Sequence, residues 1–243
     1  MSFKRLLPFI ILLSIGCSIV NDDDTYITNK LNIFCLLSPD MDENYILIDS
    51  ISSILSEEQE SVFTVRDADV FINEMYCPFE EKENNFYNGL YRIENEIKEK
   101  DICSLRIVYR RDTIYSYTRI PETSRIIGIK DSQIVHYSDS TVLFWNKSNT
   151  SFYKLSFTGM EDSLSMNYYR MYFIDDTFCF FQLFKVFLPN TILVDINVFS
   201  IDTNYAQNLL FDNSSFENNY GVFGSYSKSV TKGVLLIRET LRD

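Results

Sequence analysis

The chain has 243 residues, of which 46% are hydrophobic and 15% aromatic, and its formal net charge is −12. This hydrophobic content is far above that of disordered proteins, and the length suits one large or two small globular domains. The excess of acidic residues argues against nucleic acid as a partner and against electrostatic attachment to anionic lipids. Solubility is the simplest role for this acidity.

The N-terminal segment has the layout of a secretion signal. Lys4 and Arg5 precede an apolar run over residues 6–13, as in the n-region and h-region of such signals. An apolar stretch of roughly ten residues is too short to cross about 30 Å of hydrocarbon as a helix. We therefore exclude residues 1–16 from the fold.

Cys17 follows this signal directly and resembles the acylated cysteine of a bacterial lipobox, with Gly16 before it and Ser14 where leucine is usual. We predict that residues 1–16 are removed and that lipid on Cys17 attaches the protein to a membrane. Cleavage as an ordinary secreted protein and retention of the segment as an anchor are the alternatives.

Residues 17–24 form a short tether that ends in Asp22, Asp23 and Asp24. An acidic cluster so close to a lipidated cysteine resembles the export signal of outer-membrane lipoproteins in Bacteroidota. We therefore expect the protein on the outer membrane at the cell surface, with the periplasmic face as the alternative. A solvated tether without a sorting role would look the same. Removal of Lys4 and Arg5 leaves 20 basic and 34 acidic residues, a formal charge of −14.

The chain has five cysteines, an odd number for an exported protein. Acylation of Cys17 leaves four, which allow three disulfide pairings. Their wide spacing contains no C-x-x-C, so neither a zinc site nor a redox motif is indicated. Cys35 and Cys103 lie in alternating apolar segments, where a buried thiol or a disulfide between them both fit. The four are Cys35, Cys77, Cys103 and Cys179.

Beyond residue 25, apolar residues alternate over short runs that end at Asp, Asn, Ser or Pro, which is typical of strands. Asn88-Gly89 between Phe86-Tyr87 and Leu90-Tyr91 predicts a tight hairpin turn. About seven short strands before Pro121 indicate an immunoglobulin-like β-sandwich over residues 25–121. The predicted strands are 31–37, 45–51, 62–65, 68–72, 102–109 and 113–120, the last two joined around Arg110-Arg111-Asp112.

The second half repeats this pattern without repeating the sequence, which predicts a second β-sandwich domain over residues 122–243. The whole chain is therefore predicted to be all-β, with two consecutive sandwich domains. Only residues 56–60 and 206–211 look briefly helical. Most tyrosines and phenylalanines are expected in the core or in cross-strand pairs. The predicted strands are 133–136, 142–145, 152–157, 168–174, 178–187 and 192–201.

Six short motifs follow one another along the chain. They are Cys35-Leu36-Leu37-Ser38-Pro39, Asp67 to Ile72, Ile120-Pro121, Trp145 followed by Tyr153, Ser200-Ile201-Asp202, and Gly221 to Ser225. Their order resembles the Bacteroidota lipoproteins classed as domain of unknown function 4249. That resemblance implies β-sandwich outer-membrane lipoproteins, often found near TonB-dependent receptors. It implies no catalytic residues, because the family has no established activity.

The sequence offers few catalytic motifs. His136 is the only histidine, which excludes H-E-x-x-H zinc sites and centres with several histidines, and there is no G-x-S-x-G elbow or phosphate-binding glycine loop. His136 lies in an apolar segment, where a structural or surface role is expected. No cofactor is predicted.

Pairs of carboxylates are the remaining candidates for chemistry. Asp67 and Asp69 are expected on one face of a strand, where they would suit a hard cation such as calcium, and Asp175 and Asp176 form a second pair. Turn or strand-edge roles explain both pairs more simply, so we assign no metal site.

Three functions fit these observations. The first is a non-enzymatic lipoprotein that binds a ligand or a TonB-dependent transporter through its loops. The second is a structural or adhesive subunit of a surface assembly. The third is a hydrolase that uses two carboxylates. The sequence names no catalytic residue, so we predict a protein that is not an enzyme.

Overall fold

The computed structural model describes residues 30–50, 63–82, 88–138, 140–159, 168–180, 191–217 and 219–239, and the structural statements below refer to these residues. Almost all regular structure in them is β-strand, with a single helix. The predicted all-β fold is confirmed. No helix among these residues has the length and apolarity needed to cross a bilayer.

The first half of the chain contributes nine strands within the described residues, most of them with alternating buried and exposed side chains. They are β1 (Leu31–Leu37), β2 (Asn44–Ser50), β3 (Phe63–Thr64), β4 (Asp69–Ile72), β5 (Met75–Tyr76), β6 (Phe79–Glu81), β7 (Gly89–Ile93), β8 (Ile102–Tyr109) and β9 (Asp112–Arg119).

The second half adds longer strands and the helix. They are β10 (Ile126–Ile127), β11 (Ile134–Tyr137), β12 (Val142–Trp145), β13 (Phe152–Gly159), β14 (Tyr168–Ile174), β15 (Phe178–Phe180), β16 (Thr191–Ile201), α1 (Thr203–Phe211) and β17 (Tyr220–Arg238).

Three sheets are formed. The largest has ten strands in the order β14-β13-β16-β17-β1-β2-β7-β6, with β3 paired to β2 and β11 paired to β17. A four-stranded sheet has the order β5-β4-β8-β9, and a three-stranded sheet has the order β10-β12-β15. All pairings are antiparallel except those of β17 with β1 and with β11, which are parallel.

Two separate hydrophobic cores lie beneath the large sheet. The first packs β1, β2 and β7 against the four-stranded sheet, through residues such as Ile33, Ile46 and Leu105. The second packs β13, β16 and β17 against the three-stranded sheet around Trp145 and Phe157. Because both sheets in each pair bury apolar faces, each half is a sandwich.

Strand β17 belongs to both halves. It pairs with β1 over Tyr220–Ser225 and with β16 from Tyr226 onward. Phe223 on this strand contributes to the first core and Val234 to the second. The boundary predicted at residue 121 is untested as a division into domains, but Phe216 and Phe223 lie beyond it and help to build the first core.

A polar strip separates the two cores, because the inward-facing positions of β17 between them are serines. We call Ser225, Ser227 and Ser229 the serine ladder. Their hydroxyls donate to the backbone carbonyl oxygens of the segment that connects the halves. The acceptors are Arg119 O at 2.9 Å, Pro121 O, and Ser124 O at 2.5 Å. The connecting segment is thereby held against the sheet without being a strand.

Many predicted elements are confirmed. Strand β1 has the predicted bounds, and β8 and β9 form the predicted hairpin, with Tyr109 paired to Asp112. The helix covers residues 203–211 and includes the predicted helical segment. The segment 56–60, which looked helical, and residues 181–187 of a predicted strand lie outside the described residues.

The hairpin turn predicted at Asn88-Gly89 is wrong. Gly89 is the first residue of β7 and pairs with Glu81 of β6, so this pair of residues does not connect the two strands. The absence of a side chain serves packing instead, because a Cβ at Gly89 would lie 2.2 Å from Cζ of Phe79. A glycine required for close approach carries the same sequence signal as a glycine required for a turn.

Candidate functional site

The outer face of the large sheet carries a groove with a volume of about 440 Å³, which we call the aromatic groove. It lies where β1 and β2 of the first half meet β16, β17 and α1 of the second. Its walls are mainly apolar and aromatic, with one acidic residue, Glu43, and one lysine, Lys154. A largely apolar cleft with a few polar groups is the usual form of a ligand site.

Strand β1 supplies one wall because two of its outward side chains, as well as its inward ones, are apolar. Ile33 and Cys35 point into the first core and are fully buried. Alternation then places Phe34 and Leu36 on the outer face, where Phe34 pairs with Leu47 of β2. The Phe34 side chain is 48% exposed, so it adds little to the core and remains available for contact with a ligand.

The opposite wall comes from the second half of the chain. Ile201 of β16 pairs with Tyr226 of β17. The ring of Tyr226 lies 5.8 Å from that of Phe199 and 6.4 Å from that of Tyr205, measured between centroids. These separations are in the range in which aromatic rings attract one another. Three rings therefore form one continuous aromatic surface.

Two features position Tyr205 on this surface. Asp202 caps the first turn of α1 by accepting from the backbone N–H groups of Asn204 and Tyr205. Gly224 lets the helix lie close to the sheet, because a Cβ at this position would be 2.8 Å from Cβ of Tyr205. The Gly221 to Ser225 motif thus has a packing role.

Asp202 also joins the two halves of the chain. Its Oδ2 accepts from the Thr118 hydroxyl of β9 at 2.8 Å, and its Oδ1 accepts from the Ser225 N–H at 2.8 Å. Burial raises the pKa of the Asp202 carboxyl, although its hydrogen bonds act in the opposite direction. With both oxygens accepting from the fold, Asp202 has a structural role.

Lysine side chains lie over the aromatic rings at the edges of the groove. Lys154 Nζ is 4.2 Å from the centroid of the Phe199 ring, and Lys82 Nζ is 3.8 Å from that of Tyr45. The hydrogen bond from Lys82 to the Tyr45 hydroxyl raises the pKa of Lys82. Such cation–π contacts hold the ring orientations and add positive charge to a mainly apolar surface.

The residues singled out in the sequence lie elsewhere. Cys17 is outside the described residues. His136 is an exposed residue of β11, so it lies at the surface. Asp67 and Asp69 are exposed at the start of β4, and Asp175 and Asp176 lie in an exposed turn after β14.

The described residues contain no group of three or more His, Cys, Asp or Glu placed to hold a metal ion. The four cysteines of the body are all buried free thiols in this structure. Burial raises the pKa of Cys103 to about 11 and that of Cys179 to about 12. These thiols therefore remain protonated near neutral pH, which makes them poor nucleophiles and metal ligands.

Sequence reasoning missed the aromatic groove, although a signal was present. Phe34 and Leu36 are apolar residues at positions that alternation assigns to the solvent side of β1. They were indistinguishable from the remaining apolar residues of a strand buried on both faces. The chain matches no family model and no curated protein sequence, so the assignment of function depends on this geometry.

Proposed function

We propose that this protein is a non-enzymatic binding module, attached to the outer membrane by lipid on Cys17, that holds an apolar or aromatic group of its ligand in the aromatic groove. The observation that carries the proposal is a groove of about 440 Å³ with adjoining aromatic walls on an otherwise solvent-facing sheet. Large apolar side chains gathered on an exposed face are typical of binding sites.

The charged groups at the groove support binding rather than catalysis. Within the described part of the chain, Glu43 is the only carboxylate that lines the groove, and it accepts a hydrogen bond from the Tyr45 hydroxyl. Lys154 lies against the ring of Phe199. A hydrolase of the two-carboxylate type needs a second acid at the site, and a nucleophilic mechanism needs an adjacent base.

Binding is tested with 1-anilinonaphthalene-8-sulfonate, a fluorescent probe with an aromatic ring system and one sulfonate group. We expect Phe34→Ser to weaken probe binding about tenfold, because burial of an aromatic side chain contributes on the order of 1.5–3 kcal/mol. Phe144→Ser is the matched control, since Phe144 is 49% exposed against 48% for Phe34 but lies on the three-stranded sheet. Unchanged binding to Phe34→Ser, together with loss of binding to Phe144→Ser, would refute the assignment of the groove.

The membrane attachment is tested separately by fractionation. Cys17→Ala is expected to move the protein from the membrane to the soluble fraction, because the acylated residue is lost. Persistent membrane attachment of this variant contradicts the lipid-anchor proposal. Protease added to intact cells distinguishes the cell surface from the periplasmic face.

The resemblance to lipoproteins found near TonB-dependent receptors suggests such a transporter as the partner of this module. Affinity purification from outer-membrane extracts tests this part of the proposal. A transporter recovered with the wild type is the expected result. Repeated purification without any transporter argues against a role in uptake and leaves the ligand-binding proposal to be judged on the groove variants.

A further inference from the structure

A second cavity, with a volume of about 420 Å³, lies between the two halves of the chain. We call it the inter-half cleft. It is bounded by the end of β9, by residues 149–152 before and at the start of β13, and by residues 202–204 at the start of α1. None of its lining residues lines the aromatic groove, so the two cavities are separate sites.

The lining of the inter-half cleft is rich in hydroxyl and amide groups. The Asn204 amide is fixed by donating to Tyr117 O at 2.6 Å and to Phe223 O at 2.9 Å. Asn149 is fixed by accepting from the Glu122 N–H at 2.8 Å. Ser151 and Thr203 line the same cavity, and their hydroxyls have no hydrogen-bond partner among the described residues. The cleft therefore offers fixed polar groups that can still donate or accept hydrogen bonds.

Two exposed side chains of β9 give the cleft an aromatic wall and a positive charge. Tyr117 and Arg119 are two residues apart and so lie on the same face of the strand. The Tyr117 side chain is 63% exposed, which leaves a face of its ring open to a ligand. Arg119 is exposed and makes no ion pair with the described part of the chain.

Among the described residues, the only carboxylate that lines the cleft is that of Asp202, and its hydrogen-bonding capacity is already used. Each oxygen of Asp202 accepts two hydrogen bonds, Oδ1 from Tyr205 and Ser225 and Oδ2 from Thr118 and Asn204. Asp202 is therefore saturated as an acceptor for ligand hydroxyls. The charge of the cleft that remains free for a ligand is the guanidinium of Arg119. It is a positive group in a chain whose net charge is strongly negative.

We propose that the inter-half cleft binds a sugar residue that carries a carboxylate, a uronic acid. A guanidinium binds a carboxylate through two parallel hydrogen bonds, which assigns the acid group to Arg119. The ring of Tyr117 packs against the apolar face of the pyranose ring. Ser151 and Thr203 bond its hydroxyls, since a polyhydroxylated ligand is the class that uses several neutral donors and acceptors at once.

The test is isothermal titration calorimetry of the purified full-length protein. The probes are trisaccharides of galacturonic acid and of glucuronic acid, each with its methyl ester, which keeps the ring and removes the charge. We expect at least one acid to bind about tenfold more tightly than its ester, equivalent to one charge-assisted pair. Equal affinity for acid and ester, or no binding of any of the four probes, overturns the proposal.

Variants locate the site. Arg119→Gln is expected to abolish the preference for the acid, and Tyr117→Ala to weaken acid and ester alike. Arg111→Gln and Tyr115→Ala are the matched controls, because both residues are exposed on the same β8–β9 hairpin and neither lines the cleft. An acid preference that survives Arg119→Gln overturns the assignment of the carboxylate. Phe34→Ser in the aromatic groove is expected to leave sugar binding unchanged, which separates this site from the proposed function.

Discussion

The serine ladder gives a quantitative test of how the two halves are held together. Ser227 is fully buried, and its hydroxyl donates to the carbonyl oxygen of Pro121, which is also buried. Ser227→Ala leaves that carbonyl without a donor in a place where water has little access. An unsatisfied buried acceptor costs about 1–3 kcal/mol, so we expect the free energy of unfolding to fall by about 2 kcal/mol.

Urea denaturation followed by circular dichroism measures this loss. With a slope of about 3 kcal/mol per molar urea, a loss of about 2 kcal/mol lowers the midpoint by about 0.7 M. The slope itself is expected to stay unchanged, because the surface exposed on unfolding is nearly the same. A shift in midpoint therefore reports the lost hydrogen bond.

Ser214→Ala is the matched control. The Ser214 hydroxyl also donates to a backbone carbonyl, that of Asn219 at 2.9 Å in an exposed position, and it accepts from the partly buried Phe216 N–H at 3.2 Å. Water has access to this turn and replaces the lost partners, so the cost is expected to stay below about 1 kcal/mol. If Ser227→Ala and Ser214→Ala have the same midpoint, the serine ladder does not stabilise the junction and the reasoning fails.

Three further predictions concern the body of the protein. Gly224→Ala is expected to lower stability by about 1–3 kcal/mol in thermal melts, because the added methyl group overlaps Tyr205; an unchanged melting temperature contradicts the close packing of α1. The two cores are expected to unfold together because they share β17. The fluorescence of Trp145, which reports on the second core alone, should therefore change at the same urea concentration as far-ultraviolet circular dichroism. Separate midpoints for the two signals contradict this prediction. Cys103 and Cys179 are expected to react with a thiol reagent only after unfolding, even at pH 9, where an ordinary thiol is half ionised, because burial raises their pKa values to about 11 and about 12. Rapid reaction of the folded Cys17→Ala variant at that pH would show that these thiols are accessible.

Ionisation of the same thiols affects stability in a defined direction. A thiol with a raised pKa in the folded state keeps its proton above pH 9, whereas the unfolded chain loses it. Stability from these groups is therefore fully present below pH 9 and declines as pH rises toward 11. Urea midpoints measured across this window are expected to fall.

Local sequence patterns were sufficient to predict a strand where its pairing partner is close in sequence or where its core-facing side chains are apolar. Strand β1 was predicted with its observed bounds because every second residue from Leu31 to Leu37 is apolar and the run ends at Ser38-Pro39. The β8–β9 hairpin was predicted because two alternating segments flank Arg110-Arg111 and pair directly. Both results follow from the alternation of side chains across a strand.

Strand β17 was not predicted over its nineteen residues, although it is central to the fold. Its inward positions at Ser225, Ser227 and Ser229 are polar, so its apolar pattern is interrupted. Serines are tolerated there only because carbonyl groups of the connecting segment accept from their hydroxyls. That compensation is a tertiary contact, and no local pattern contains it.

The candidate sites depended on tertiary structure for the same reason. Phe34 of the aromatic groove and Tyr226 opposite it are far apart in the sequence, and the parallel pairing of β1 with β17 brings their strands together. The inter-half cleft likewise joins Arg119 of β9 to Thr203 of α1. Composition and alternation determined the all-β class and most of the short strands, whereas the free, buried state of all four cysteines was shown only by the structure. Which strands pair, where two cores separate and which outward side chains meet were decided by long-range packing, because alternation fixes the face of a side chain but not its neighbours.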